Sequence, residues 1–211
     1  MATTVQIPDT RVTPAPVAGA DIADPGPLGL AAFAATTFML CIFNAGLMEA
    51  PYKRVVLPMA LAYGGIAQIL AGMWEFKKNN TFGATAFTSY GAFWVTYAAY
   101  VWLAQPAIIA AVGKDQEHQA RGVWLAAWTI FTVLMLLASF GTNKALVVVF
   151  SLLTVTFILL TWGVWGAKES IEHLGGWFGL LTAGAAWYTM TAGLLKSTFG
   201  RQILPVGPIS H

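Results

Sequence analysis

Long uncharged stretches recur six times along the chain, and short segments between them hold most of the charged residues. A helix needs about 20 apolar residues to cross the hydrocarbon core of a bilayer. Backbone groups find no water there, so a spanning segment is either a helix or a strand of a closed barrel, and barrel strands alternate over about 10 residues. The pattern therefore predicts an all-α integral membrane protein with transmembrane helices over 28–49, 55–76, 81–105, 121–141, 145–167 and 174–196.

The third uncharged run, 79–113, is longer than one span requires. Pro106 lies inside this run. Proline lacks a backbone N–H and disfavours the helical conformation in the residue before it. We therefore expect the third helix to end near 104–105, with the remaining AIIAAVG in the membrane interface or in a short hairpin.

The two ends of the chain differ from the spans. Residues 1–23 contain three prolines and no helical apolar period, which predicts a disordered tail and not a signal peptide. Residues 24–207 then form one six-helix domain, and 208–211 form a short C-terminal tail. An even number of spans places both termini on one side, but the basic residues divide too evenly between the sides to fix the orientation.

Composition agrees with a membrane protein and argues against an enzyme. Hydrophobic residues make up 57% of the chain and charged residues 9%, where a soluble domain has about a quarter charged. No HExxH, GxSxG or GxxxxGK[ST] motif is present, and all three histidines lie outside the predicted spans, so we expect no catalytic residue, metal site or cofactor. The single Cys41 is expected to pack inside the bundle. A net charge of +2 without a basic cluster does not indicate a nucleic-acid partner.

Polar residues within the spans are neutral near the span centres. Charge-coupled pumps usually keep an ionisable residue there. In the second span, Gly64, Gln68 and Gly72 recur every four residues, and Glu75 follows seven residues after the glutamine, so all four share one helix face. This face has two interpretations: a close helix contact joined by the amide, where such a bond contributes about 0.6–2 kcal/mol, or a glutamine that faces a pore. Glu75 is correspondingly either a gate or one member of an ion pair with the lysines that follow it.

Three blocks of the sequence resemble the acetate uptake transporter family, of the succinate-acetate permease type. They are the entrance DPGPLGLAAFAATTF, the segment YGGIAQILAGMWEFKKNNTFGATAFTSYGAFW at 63–94, and FGRQILPVG at 199–207. The resemblance covers residues 24–207. It implies six-helix protomers that each hold a pore and assemble as hexamer-like rings, and it implies acetate, and sometimes succinate or formate, as the transported solute.

The entrance matches the family pattern Asn-Pro-x-Pro-Leu-Gly-Leu, which implies a turn that leads into a pore-lining first helix. A helix N-terminus offers free amide donors and a partial positive charge, which favour an approaching carboxylate. Asp24 replaces the family's asparagine, so it either caps the helix or repels the anion. The residues that match the pattern are Pro25, Pro27, Leu28, Gly29 and Leu30.

The family resemblance also implies a hydrophobic constriction formed by Phe33, Tyr90 and Leu153, with Leu152 as an alternative for the leucine. A dry ring of this kind imposes a desolvation cost of several kcal/mol on a bare carboxylate, whereas the protonated acid crosses it more easily. Without the resemblance, ordinary core packing would explain all three residues.

These observations together predict a multi-pass protein of the plasma membrane that transports acetate and related short monocarboxylates, by channel-like or proton-linked passage. Its partners are the lipid bilayer, the carboxylate solute and further copies of the chain in a homohexamer. Two other functions stay open: a pore for a neutral or weakly basic solute such as ammonia or urea, and a membrane sensor that transports nothing. The expected polar contacts to the solute are Thr36, Thr37, Asn44, Gln68, Thr88, Ser89 and Tyr90.

Overall fold

The computed structural model describes residues 22–209. Residues 1–21 of the predicted tail, and residues 210 and 211 at the other end, lie outside the described residues. Within 22–209, six helices are long and apolar enough to cross a membrane, which confirms the predicted all-α class with six spans. They are α1 (Gly26–Asn44), α2 (Ala50–Lys77), α3 (Thr81–Val112), α4 (Lys114–Ser139), α5 (Lys144–Trp165) and α6 (Glu169–Phe199).

The helices form a closed ring in chain order. Each helix packs against the next, and α6 packs along α1 to complete the circle. Asp24 and Val206 line the same cavity, so both ends of the described chain lie at the same face of the bundle. The chain after α6 is held there by an antiparallel bridge between Asn143 and Pro208 at the start of α5.

Glycines allow α2 to approach its neighbours closely. A Cβ added at Gly64 would lie 2.6 Å from Oγ1 of Thr36 on α1, and one added at Gly91 of α3 would lie 2.9 Å from the backbone nitrogen of Ile69. Small residues at such contacts let helix backbones pack in van der Waals contact inside a membrane. The glycines therefore position α1 and α3 on either side of α2.

Asparagine side chains begin α3 and α5. Oδ1 of Asn80 accepts a hydrogen bond from Gly83 N at 3.1 Å, and Oδ1 of Asn143 accepts one from Leu146 N at 3.0 Å. The first turn of a helix leaves amide donors without partners, and an asparagine cap satisfies one of them.

The third helix continues beyond the predicted end near 104–105, so that prediction is wrong. A π-helical segment, Tyr100–Ala104, comes before Pro106, which lies in the first turn of the α-helical segment Gln105–Val112. A π segment bonds i→i+5 and so has a wider turn, which relieves the clash between the proline ring and a carbonyl of the preceding turn. In the first turn of a helical segment the backbone N–H groups need no partner within that segment, so the N–H that proline lacks is not missed there. The AIIAAV part of the remaining sequence thus belongs to α3, and not to a hairpin.

Candidate functional site

Two cavities enter the helix ring from opposite ends. The wide cavity, of about 540 Å³, opens where α1 ends and α2 begins, and the narrow cavity, of about 250 Å³, opens where α1 begins and α2 ends. Phe33, Tyr90 and Leu153 line both cavities, and all three side chains are buried. The cavities therefore meet at one side chain from each of α1, α3 and α5.

Neighbouring side chains hold the Tyr90 ring at this meeting point. The ring centroids of Phe33 and Tyr90 are 5.6 Å apart in an edge-to-face arrangement, and Phe131 packs against the tyrosine ring from α4 at 5.4 Å. The Tyr90 hydroxyl and Oγ1 of Thr132 share a hydrogen bond of 3.0 Å. Because the hydroxyl is already bonded to α4, the surface that these rings present to the passage is mostly apolar.

The two candidate leucines lie in different environments. Leu153 is buried and lines both cavities, whereas the half-buried Leu152 lines neither of them. Adjacent residues on a helix point about 100° apart, so only one of the two can face the ring axis.

A row of side chains on α1 leads from the meeting point into the wide cavity. Thr37 and Cys41 follow Phe33 at four-residue intervals, and Asn44 comes three residues later. Thr37 is 5% exposed, and its Oγ1 has no hydrogen-bond partner among the described residues. Oδ1 of Asn44 accepts a hydrogen bond of 2.6 Å from Nζ of Lys53. This side of α1 therefore presents polar atoms from the cavity mouth almost to the constriction.

A network of charged groups lies at the mouth of the wide cavity. Arg121 forms salt bridges with Glu117 at 3.6 Å and with Glu172 at 3.5 Å. Glu117 also accepts hydrogen bonds from Nε2 of Gln105 at 3.0 Å and from the hydroxyl of Tyr100. The network ties α4 to α3 and α6 at this end of the ring.

Polar side chains of α2 face the narrow cavity. Gln68 is 1% exposed, and its Oε1 has no hydrogen-bond partner within residues 22–209. Glu75 is also buried and accepts a hydrogen bond of 2.7 Å from Nδ2 of Asn80. No salt bridge of Glu75 is present in the described part of the chain, so the ion pair with the adjacent lysines does not form there.

The glycines on the same face of α2 serve helix packing. Gly64 abuts Thr36, and Gly72 abuts Thr88, so both threonines lie at helix contacts. These threonines and the half-buried Ser89 line neither cavity. The two interpretations of this face therefore apply to different residues: the glycines make the close helix contacts, and the amide and carboxylate face the cavity.

The entrance motif forms the start of α1 beside the narrow cavity. Asp24 lines that cavity, and its Oδ1 accepts a hydrogen bond of 3.1 Å from N of Gly26, the first residue of α1. A Cβ added at Gly29 would lie 2.7 Å from the ring of Phe87. The absence of a side chain at Gly29 therefore lets α1 pack tightly against α3. Of the other motif residues, Pro25 is buried and comes directly before the helix, Pro27 and Leu30 line the cavity, and Leu28 is exposed.

Sequence reasoning did not single out Lys53 or Thr132. The lysine counted only as a loop charge, although a basic residue between two apolar runs could have suggested a role near a cavity mouth. The threonine has no such signal, because many threonines in the spans bond only to a carbonyl of the preceding turn. Its contact with Tyr90 depends on how α3 and α4 pack.

Comparison with known proteins agrees with this architecture. The sequence profile of the GPR1/FUN34/yaaH family matches residues 8–211. The succinate-acetate/proton symporter SatP of Escherichia coli K12 is 40% identical over 88% of this chain and 96% of that protein. Ammonia transport outward protein 2 of Saccharomyces cerevisiae is 37% identical over 87% of this chain and 64% of its own length.

A solved structure has the same fold. The structure of the bacterial acetate channel SatP superposes with a TM-score of 0.78 at 40% sequence identity, and the match covers 88% of this chain and 99% of that one. The profile match, the identity and the six-helix ring lead to one conclusion: the chain belongs to the GPR1/FUN34/yaaH family and is a multi-pass membrane transport protein, not an enzyme.

Proposed function

We propose that this protein transports acetate and related short monocarboxylates across the plasma membrane, along the path that joins the two cavities. The observation that carries the proposal is that Phe33, Tyr90 and Leu153 line both cavities, so a solute that moved from one to the other would pass these side chains. Relatives named for acetate or succinate-acetate transport support the choice of solute.

The apolar ring at the meeting point sets the main barrier to a charged solute. A carboxylate that gives up its water there loses several kcal/mol unless polar groups replace the water. On one side the buried Thr37 hydroxyl has no partner among residues 22–209 and can donate to a carboxylate. On the other side Oε1 of Gln68 has no partner there and can accept a hydrogen bond from the protonated acid. A weak acid can also bring its own proton through the ring, and this permits either uniport or proton-linked symport.

At the narrow end, Glu75 is our candidate for a gate. Its buried carboxylate is held by Asn80 beside the start of α1, where Asp24 also lines the cavity. Two carboxylates at this mouth repel an anion, so removal of the Glu75 charge would ease its passage.

The proposal also includes assembly as a homo-oligomeric ring, a hexamer by family resemblance. Each chain contains both cavities within its own six helices, so the path does not require a partner. Native mass spectrometry of the detergent-solubilised protein would measure the number of copies, and a monomeric species alone would contradict the ring.

Radiolabelled acetate uptake into proteoliposomes, with and without an imposed pH gradient, tests the transport function. We expect saturable uptake that propionate inhibits and that Tyr90→Ala and Gln68→Ala alter. Matched controls are Tyr63→Ala and Gln119→Ala, since neither residue lines a cavity. Uptake no faster than the leak through protein-free liposomes would refute acetate transport, and a gradient dependence beyond that of empty liposomes would support proton linkage.

A second candidate is a pore for ammonia, which the name of the yeast relative favours together with the neutral lining at the meeting point. Competition separates the two functions: propionate and formate inhibit acetate uptake if carboxylates are the solutes, and ammonium does so if the path accepts ammonia. A sensor that carries no solute would give no flux in either assay.

A further inference from the structure

We propose that Lys53 and Asn44 form a capture site for a small carboxylate in the wide cavity, from which the solute moves toward the constriction. The inference rests on the proposed transport of short carboxylates and adds a specific loading site to it. It concerns residues at the junction of α1 and α2 that the sequence analysis did not assign together.

The two side chains offer donors at one place. Nζ of Lys53 donates to Oδ1 of Asn44 at 2.6 Å, and both residues line the wide cavity. An ammonium group has three donors, and only one of them is used in this bond. The asparagine oxygen is occupied, which leaves its NH₂ group to donate. A carboxylate has two acceptor oxygens, so it can accept from the ammonium and from the amide together.

No carboxylate among residues 22–209 forms a salt bridge with Lys53. Arg121 forms salt bridges with the nearby Glu117 and Glu172, whereas Lys53 has no acidic side chain within 4 Å in the part of the chain that the structure describes. A strongly hydrated ammonium that is partly withdrawn from water favours an anionic ligand that replaces its lost solvation.

Lys53 supplies the net positive charge of the wide cavity, because the other lining residues balance at three basic against three acidic. Four lysine and arginine residues line this cavity against three acidic residues, with His118 as the further titratable group, whereas the narrow cavity has one lysine against two acidic residues. A cleft lined by an excess of one sign raises the local concentration of the opposite ion. The charged residues of the wide cavity, in addition to Lys53, are Arg54, Lys114, Asp115, Glu117, Arg121 and Glu172.

The capture site lies on the route to the constriction. Asn44 and Thr37 are seven residues apart on the same face of α1, which corresponds to about 10 Å along the helix axis. The buried Oγ1 of Thr37 is the next polar atom without a partner in the described chain, and Phe33 lies one turn beyond it. A carboxylate released from Lys53 therefore meets a second donor before it reaches the apolar ring.

Initial rates of acetate uptake against acetate concentration, in proteoliposomes of the full chain, test the site. Lys53→Met should raise KM about five- to tenfold, as expected for one lost charge-assisted hydrogen bond, while the maximal rate stays within about twofold. Lys53→Arg should restore most of the affinity. The inhibition of uptake by added salt should weaken in the methionine variant, because salt screens the attraction that this charge provides.

Lys168→Met is the matched control. This lysine lies in the turn before α6, its Nζ is 5.3 Å from the centre of the Trp162 ring, and it lines neither cavity. Its loss should leave KM and the salt dependence unchanged. An unchanged KM in Lys53→Met, with acetate transport intact, would overturn the capture site and leave the transport function standing.

A second measurement does not depend on transport. The chain's single cysteine, Cys41, is buried, whereas Ala50 is exposed and lines the wide cavity, so the rate at which methanethiosulfonate reagents label Ala50→Cys in a Cys41→Ser background reports which ions reach that cavity. The ratio of the rate with the anionic sulfonatoethyl reagent to the rate with the neutral methyl reagent should fall severalfold in Lys53→Met and recover in Lys53→Arg. Absence of acetate transport in the wild-type protein would refute the transport function. Independently of that result, a labelling ratio that is the same with and without Lys53 would refute anion capture by Lys53.

Discussion

Replacement of Gly91 by alanine tests the close packing of α3 on α2. A Cβ at this position would lie 2.5 Å from Cγ1 of Ile69, 2.9 Å from the Ile69 nitrogen and 3.0 Å from the carbonyl oxygen of Gly65. Carbon atoms in favourable contact are about 3.5–4.0 Å apart. Two of the three neighbours are backbone atoms that cannot rotate away, so the two helices must separate to admit the methyl group.

Gly184 on α6 provides the matched control, because a Cβ there would meet no atom within 4 Å. Alanine stabilises a helix interior by about 1 kcal/mol relative to glycine, and both variants gain this stabilisation. Only Gly91→Ala adds the cost of overpacking, typically about 1–3 kcal/mol. A chain of this length shifts its Tm by about 2–4 °C per kcal/mol, so Gly91→Ala should melt about 2–12 °C below Gly184→Ala.

Thermal unfolding of the purified protein in detergent, followed by tryptophan fluorescence, measures this difference. Acetate uptake provides a second readout, since a shift of α3 moves the neighbouring Tyr90 away from its contact with Thr132. We expect Gly91→Ala to reduce uptake and Gly184→Ala to leave it unchanged. A Tm of Gly91→Ala equal to or above that of Gly184→Ala would refute the packing argument.

Two further pairs of variants test the site. Asn80→Ala and Asn143→Ala each remove a helix cap worth about 1 kcal/mol, but only Asn80 also donates to buried Glu75, so Asn80→Ala should lower the Tm further by the equivalent of about 1–3 kcal/mol. Equal melting temperatures would mean that the carboxylate contact contributes nothing. Leu153→Ala should widen the constriction and raise propionate uptake relative to acetate by up to about tenfold, the discrimination that one methylene provides in an apolar site. Leu152→Ala should leave that ratio unchanged. A larger effect from Leu152→Ala than from Leu153→Ala would mean that Leu153 does not form the constriction.

The number of spans could be predicted because bilayer thickness sets the length of an apolar run that must become a helix. Their ends were less accessible to sequence reasoning. The third helix continues to Val112 because a π-helical segment accommodates Pro106, and such a segment has no marker in the apolar pattern. The family resemblance, and not the period of the sequence, suggested Phe33, Tyr90 and Leu153 as a group; their roles in passage stay predictions.

The sequence by itself determined that this chain is a six-helix membrane protein of a transport family, since length, hydropathy and motif blocks are local properties. Only the tertiary structure decided which polar side chains face a cavity. Thr36 and Thr37 are neighbours of equal polarity, yet Thr36 packs against Gly64 and Thr37 faces the wide cavity. A rotation of about 100° per residue separates their directions, and the packing of α1 against α2 and α6 sets which direction is inward.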